Sequence, residues 1–120
     1  MRAETTGEEI VLHVPAEGEP IGTGQDALDV IGEAWGVEAT VISIPAARFV
    51  PGFFDLRTGL AGEFIQKMVN YRQRLAVIGD ISAHVAASDA LGAFVRESNR
   101  GTQVWFLESH NALTERLTAG

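Results

Sequence analysis

Apolar positions along this chain repeat with two different periods, and the two alternate. The stretch "EIVLHV", residues 9–14, alternates and is rich in β-branched residues, which predicts a strand with Ile10, Leu12 and Val14 on one face. "TGQDALDVIGEAWG", 23–36, changes to helical spacing, with Ala27, Leu28, Ile31, Ala34 and Trp35 on one stripe. Thr23 or Gly24 can cap its start and Gly36 suits its end. "ATVISIP", 39–45, reads as a buried strand stopped by Pro45, and Ile21 to Thr23 as a short strand after the turn "AEGEP". Helix 60–72 follows, with Leu60, Ala61, Phe64, Ile65, Met68 and Val69 in one continuous stripe and Glu63 placed four residues before Lys67. "RLAVIGDI", 74–81, is a short apolar run ending in Gly-Asp, as a central strand does. Ser88 opens a helix over 89–99 that turns Leu91, Phe94 and Val95 inward and ends at Asn99 or Gly101. "TQVWFLE", 102–108, is the last strand, and Ser109 caps a terminal helix through Leu117.

Strands that alternate with helices in this way predict an α/β fold with a mainly parallel sheet of four or five strands. Crossovers of one hand place the helices on the sheet faces. No repeat, linker or low-complexity segment divides the chain, so residues 1–120 read as a single domain.

Composition narrows the classes of function. The 120 residues carry nine basic and sixteen acidic side chains, a net charge of −7. Such a surface repels phosphate backbones, so nucleic acid is not expected as a partner. No cysteine is present, which removes disulfides, thiolate nucleophiles and cysteine zinc sites together. The first ten residues, "MRAETTGEEI", hold no apolar run of the export-signal kind. No stretch approaches the ~20 apolar residues of a membrane span, so the expected setting is cytoplasmic, without a membrane.

Candidate chemistry gathers around "FFDLRTGLAGEFIQKMVNYR", residues 53–72. The connection 46–57 is unusually apolar for a loop, with Phe49, Val50, Phe53 and Phe54 around Pro51 and Gly52. These rings form a partner surface if exposed, or a lid on the core if folded back. Asp55 and Arg57 can orient a ligand carboxylate or phosphate through the planar guanidinium fork, or simply close the loop on each other. Thr58 and Gly59 stand at a helix start, where free amides favour an anion or a phosphorylated side chain, unless Thr58 is simply an ordinary N-cap. Asp80, Ser82 and His84 follow the third predicted strand of the parallel set, at the carboxyl edge where ligands collect in open sheets. Asp80 and His84 suit acid–base work, unless Asp80 only caps a turn and His84 is solvated. His13, His84 and His110 show no metal-ligand spacing, and no phosphate loop or nucleophile elbow is present. Neither metal nor cofactor is therefore expected.

Two resemblances bear on these residues. The order of elements resembles the STAS fold of bacterial anti-sigma factor antagonists and of sulfate-transporter tails. In those antagonists the second helix opens with Asp-Ser-Ser-Gly-Leu-Gly, and the second Ser is phosphorylated. The matching place here reads Asp55-Leu56-Arg57-Thr58-Gly59-Leu60-Ala61-Gly62, with Asp55 one residue further from the Gly. Thr58 takes the place of that Ser. More closely, "FFDLRTGLAGEFIQKMVNYR", "LAVIGDIS" and "FVRESNRG" resemble a bacterial family labelled domain of unknown function 4180, over about residues 24–108. The first resemblance implies a STAS-like, non-enzymatic regulatory domain that binds a protein partner or self-associates as a dimer. Its partner surface is then helix 60–72 with its leading loop and the Phe53/Phe54 patch, and the binding candidates are Phe53, Phe54, Asp55, Arg57, Thr58 and Gly59. The alternative is a small acid–base cyclase or isomerase, or a binder of a small anionic ligand. Its pocket lies at the strand carboxyl ends, with Asp55, Asp80 and His84 as catalytic candidates. A flat edge with exposed Phe favours the first, and a cavity of a few hundred Å³ the second.

Overall fold

The computed structural model describes residues 1–119. It is an α/β fold with strands β1 (Arg2–Thr6), β2 (Glu9–His13), β3 (Val41–Pro45), β4 (Arg74–Ile78) and β5 (Val104–Leu107) in one sheet. Its helices are α1 (Gly24–Gly36), α2 (Leu60–Asn70), α3 (Ser82–Ala86), α4 (Asp89–Arg100) and α5 (His110–Thr118). The strands lie in sequence order, β1-β2-β3-β4-β5. β1 pairs antiparallel with β2, and every later pair is parallel. Among the described residues no helix is long and apolar enough to cross a membrane.

Because each parallel step moves to the next position in one direction, crossovers of a single hand put α1, α2 and α4 on the same face. Strand alternation then divides the core in two. Leu12, Ile42, Ile44, Leu75, Val77 and Val104 face these three helices and meet Ala27, Ile31, Phe64, Met68 and Leu91. Val11, Val41, Ala76, Ile78 and Trp105 point to the other face and pack under Leu113 of α5. Arg116 of α5 lies 5.0 Å over the Trp105 ring and donates to the carbonyl of Gly101, which also accepts from Trp105 Nε1. The last helix is thus clamped to the last strand by a cation–π contact and a shared carbonyl.

The predicted strands and helices stand close to their expected bounds, and the differences have local causes. β1 was not expected, because "RAETT" is polar; it is an exposed edge strand joined to β2 by a turn at Gly7-Glu8, with Gly7 at φ 62°. Ile21 contributes one parallel bridge to Phe49 and not a strand. Trp35, placed on the inner stripe of α1, is 56% exposed; Val30 takes the inward position instead. On α2 the buried line is Ala61, Phe64 and Met68, with Ile65 half-buried and Val69 exposed. Of the two expected ends of α4, Gly101 is the one that caps it, and Asn99 lies within the helix. Its side chain instead accepts from Phe106 N at 2.7 Å and donates to Phe106 O at 3.2 Å, extending the open edge of β5.

Candidate functional site

The segment that leaves β3 is compact and not loose. Pro45 ends the strand, and three short turns follow at Ala46–Arg48, Pro51–Phe54 and Leu56–Thr58. Three rings hold it down. Phe49 stacks on Phe53 with centroids 3.9 Å apart, and both meet Phe64 of α2 edge-on at 5.5 and 5.6 Å. Each such pair adds about 0.5–1.5 kcal/mol beyond the burial of the rings. Phe53 is 1% exposed, so it is core and not partner surface. Phe54 is also buried, and its outer face stacks on the exposed His84 ring at 4.7 Å and 23°.

Between this segment and the α3–α4 corner lies a cleft of about 570 Å³. Pro51, Phe54 and Leu56 form one wall, Ala83, Ala87 and Ala90 the other, and Asp55, Arg57, His84 and Ser88 supply its polar groups. The cleft sits where β3 and β4 end, the carboxyl edge at which open sheets collect ligands. Its electrostatics centre on one pair. Asp55 accepts from Arg57 Nε and Nη2, both at 3.0 Å, and from the Arg57 backbone N at 3.1 Å. The Arg57 side chain lowers the Asp55 pKa, and Asp55 in turn raises that of Arg57. Asp55 is thereby held as a carboxylate.

Of the residues expected at the site, Asp55, Arg57, His84 and Phe54 come together. Asp80 and Thr58 do not line the cleft. Asp80 accepts from Ser82 N at 2.8 Å and closes the turn into α3; the Ser82 side chain, then its backbone, lowers the Asp80 pKa. The Thr58 hydroxyl lies 2.8 Å from Gly52 O and 2.9 Å from Asp55 O, and it accepts weakly from Leu60 N at 3.3 Å. It knits the turn together, while Gly59, at φ 78°, is the residue that caps α2. A side chain at position 59 has open space but would be strained by that backbone angle.

A second polar cluster, on the α5 face, has no counterpart among the expected site residues. His13 is buried, with Nδ1 2.6 Å from Ser43 Oγ and Nε2 3.1 Å from Glu4 Oε1. Because a carboxylate only accepts, the ring proton sits on Nε2, and Nδ1 accepts from the Ser43 hydroxyl. His110, at the start of α5, meets His13 edge-on at 5.1 Å. The relay ties β1, β2 and β3 together beside a hollow of about 370 Å³ lined by His13, Val14, Pro45 and His110. Its signal in the sequence is a polar residue beside the apolar runs of two strands, His13 after "IVL" and Ser43 within "VISI". Ser43 is fully buried, so its hydroxyl is a structural donor. Among the described residues no three His, Cys, Asp or Glu side chains gather as a metal site.

Fold and cleft together define a small, mostly parallel α/β protein with a part-apolar hollow at its strand carboxyl ends. The family described as Domain of unknown function (DUF4180) matches residues 6–117, and the chain belongs to it. No curated protein and no solved structure matches the chain.

Proposed function

We propose that this protein is a small-molecule-binding domain whose ligand occupies the cleft between residues 51–57 and the α3–α4 corner. The observation that carries this reading is the cleft itself: about 570 Å³, at the strand carboxyl edge, with mixed apolar and polar walls. The rings expected to form a protein-docking surface support it too, since Phe53 and Phe54 are spent on the core. Binding fits the site better than acid–base turnover. Asp55 is committed to Arg57 and Asp80 to Ser82, and His84 faces the cleft without such a partner among the described residues. Ligand-observed NMR with a library of small polar aromatics tests the reading on wild type and Ala87→Trp, whose indole fills the hollow. Hits that compete with one another and vanish in the variant are expected. Hits that persist in a folded Ala87→Trp protein place the site elsewhere, and a blank screen on wild type refutes the reading.

A second reading, self-association of STAS-like regulatory type, has one observation in its favour. Trp35 and Tyr71 are both exposed and pack edge-on at 5.4 Å at the carboxyl ends of α1 and α2, beside exposed Val37 and Val69. Glu38 and Arg72, of opposite charge, follow the two helices just past the patch. Sedimentation of wild type against Trp35→Ser tests it: a concentration-dependent dimer lost in the variant supports this reading, and a monomer at all concentrations removes it.

A further inference from the structure

We propose that the cleft takes a planar aromatic monocarboxylate, its carboxylate on the free edge of Arg57 and its ring against His84. The proposal rests on the ligand-binding reading above and names the class of ligand.

The guanidinium carries five N–H groups in one plane. Asp55 takes the side edge, Nε and Nη2, at 3.0 Å each. The end edge, made by Nη1 and the second Nη2 hydrogen, has no partner among the described residues, and it matches a second carboxylate in a parallel two-bond fork. The Arg57 side chain is 91% exposed, so a ligand does not have to strip it from a protein pocket. Asp55, itself fixed by the Arg57 backbone N–H, holds the fork in one orientation before any ligand arrives. That ordering lowers the entropy lost on binding.

The walls select the rest of the molecule. His84 already lies flat on Phe54, and Phe54 is buried, so the open face of the stack is the imidazole. A flat ring extends this stack as a third layer. Ala83, Ala87 and Ala90 are short enough to leave room beside it, and Pro51 and Leu56 close the opposite side with apolar surface. Charge decides between anions. The chain carries −7, and Asp55 stands directly behind the guanidinium. A phosphate dianion is repelled about twice as strongly by that background as a carboxylate, and it lacks the planar match to the fork. A cationic ligand meets Arg57 and finds both Asp55 oxygens already engaged.

Calorimetric titration with 2-naphthoate and its neutral isostere 2-naphthamide tests the proposal on wild type, Arg57→Gln, Arg57→Lys and Ala87→Trp. Wild type should prefer the acid by tenfold or more. Arg57→Gln should weaken naphthoate by about tenfold to a hundredfold, the usual range for losing hydrogen bonds to a charged group, and leave naphthamide within about twofold. Arg57→Lys keeps the charge, loses the fork and should fall between. Ala87→Trp should abolish both. Equal binding of acid and amide by wild type, or naphthoate binding unchanged in Arg57→Gln, overturns the carboxylate assignment. If both compounds are still lost in Ala87→Trp, the cleft reading survives that failure. No binding of either compound overturns the aromatic-carboxylate proposal and leaves the cleft reading to the library screen, whereas binding that persists in a folded Ala87→Trp protein overturns both.

Discussion

His13 shows how one buried imidazole couples stability to pH. Burial lowers its pKa below the ordinary 6.5, against the opposing pull of Glu4. The unfolded chain therefore binds a proton that the folded chain resists. The contribution is complete above pH 6.5 and is lost as pH falls from 6.5 toward the folded pKa. Glu4 is held below its ordinary 4.5 by the His13 hydrogen bond, so its own contribution disappears only below 4.5. Urea midpoints at pH 7.5 and 5.5 should therefore differ more for wild type than for His13→Gln, which keeps polar contacts without titrating in that window. Equal differences would mean that the buried ring titrates as it does in the unfolded chain. Phe53 offers a test of packing. Its ring lies between Phe49, Phe54 and Phe64, and Phe53→Ala should cost about 3–5 kcal/mol in chemical denaturation. A loss below about 1 kcal/mol would mean that residues 51–54 lift away from the core.

Among the elements, α4 is fixed at both ends by side chains that replace missing backbone partners. Ser88 Oγ accepts from Leu91 N at 3.1 Å at its start, and Asn99 supplies a strand-like pair to Phe106 at its end. Ser88→Ala should cost about 1 kcal/mol, the usual value of a lost N-cap. Asn99→Ala leaves a part-buried N–H and C=O of β5 unpaired and should cost about 1–3 kcal/mol. Asn70→Ala makes a fair control, because Asn70 only accepts from Gln66 four residues earlier on the exposed face of α2, a pair worth about 0.2–0.5 kcal/mol. Urea unfolding should rank the three variants Asn70→Ala, Ser88→Ala and Asn99→Ala from most to least stable. The turn before α1 is likewise held from a distance. Arg48 donates to the carbonyls of Pro15, Glu17 and Glu19, and its guanidinium lies where a Gly18 side chain would stand.

For the whole molecule, protection should follow the sheet from its middle outward. β3 and β4 are covered on both faces, whereas β1 is an exposed edge held through the β2 ladder, Glu4 and α5. Native-state hydrogen exchange should find the slowest amides at Ile42, Ile44, Leu75 and Val77 and much faster exchange through Ala3 and Thr5. Uniform protection across all five strands would contradict this ordering. The same layout explains where the cleft lies. Its two faces carry packed helices, and the cleft opens where residues 51–57 and α3 leave the strand ends.

Much of this architecture was legible one element at a time. The periods of two and 3.6, the Ser88 and Ser109 caps and the stop at Pro45 are local physics, and they place four strands and four helices near their observed bounds. The approach of Asp55 to Arg57 is local as well, since two residues of separation bring the side chains together. Contacts between distant segments were not legible. Nothing near Trp35 says that the inward face of α1 falls on Val30, because the neighbour that defines inside is the sheet. Phe53 and Phe54 read equally as surface or lid until Phe49 and Phe64 receive them. His84, and not Asp80, reaches the cleft because α3 turns its ring onto Phe54, while Asp80 is held by the backbone two residues away. The Glu4–His13–Ser43 relay is distributed over three strands, and only their register brings its members into line. Local propensity acts through near neighbours along the chain, whereas burial and hydrogen-bond partners are set by whichever segments the fold packs together.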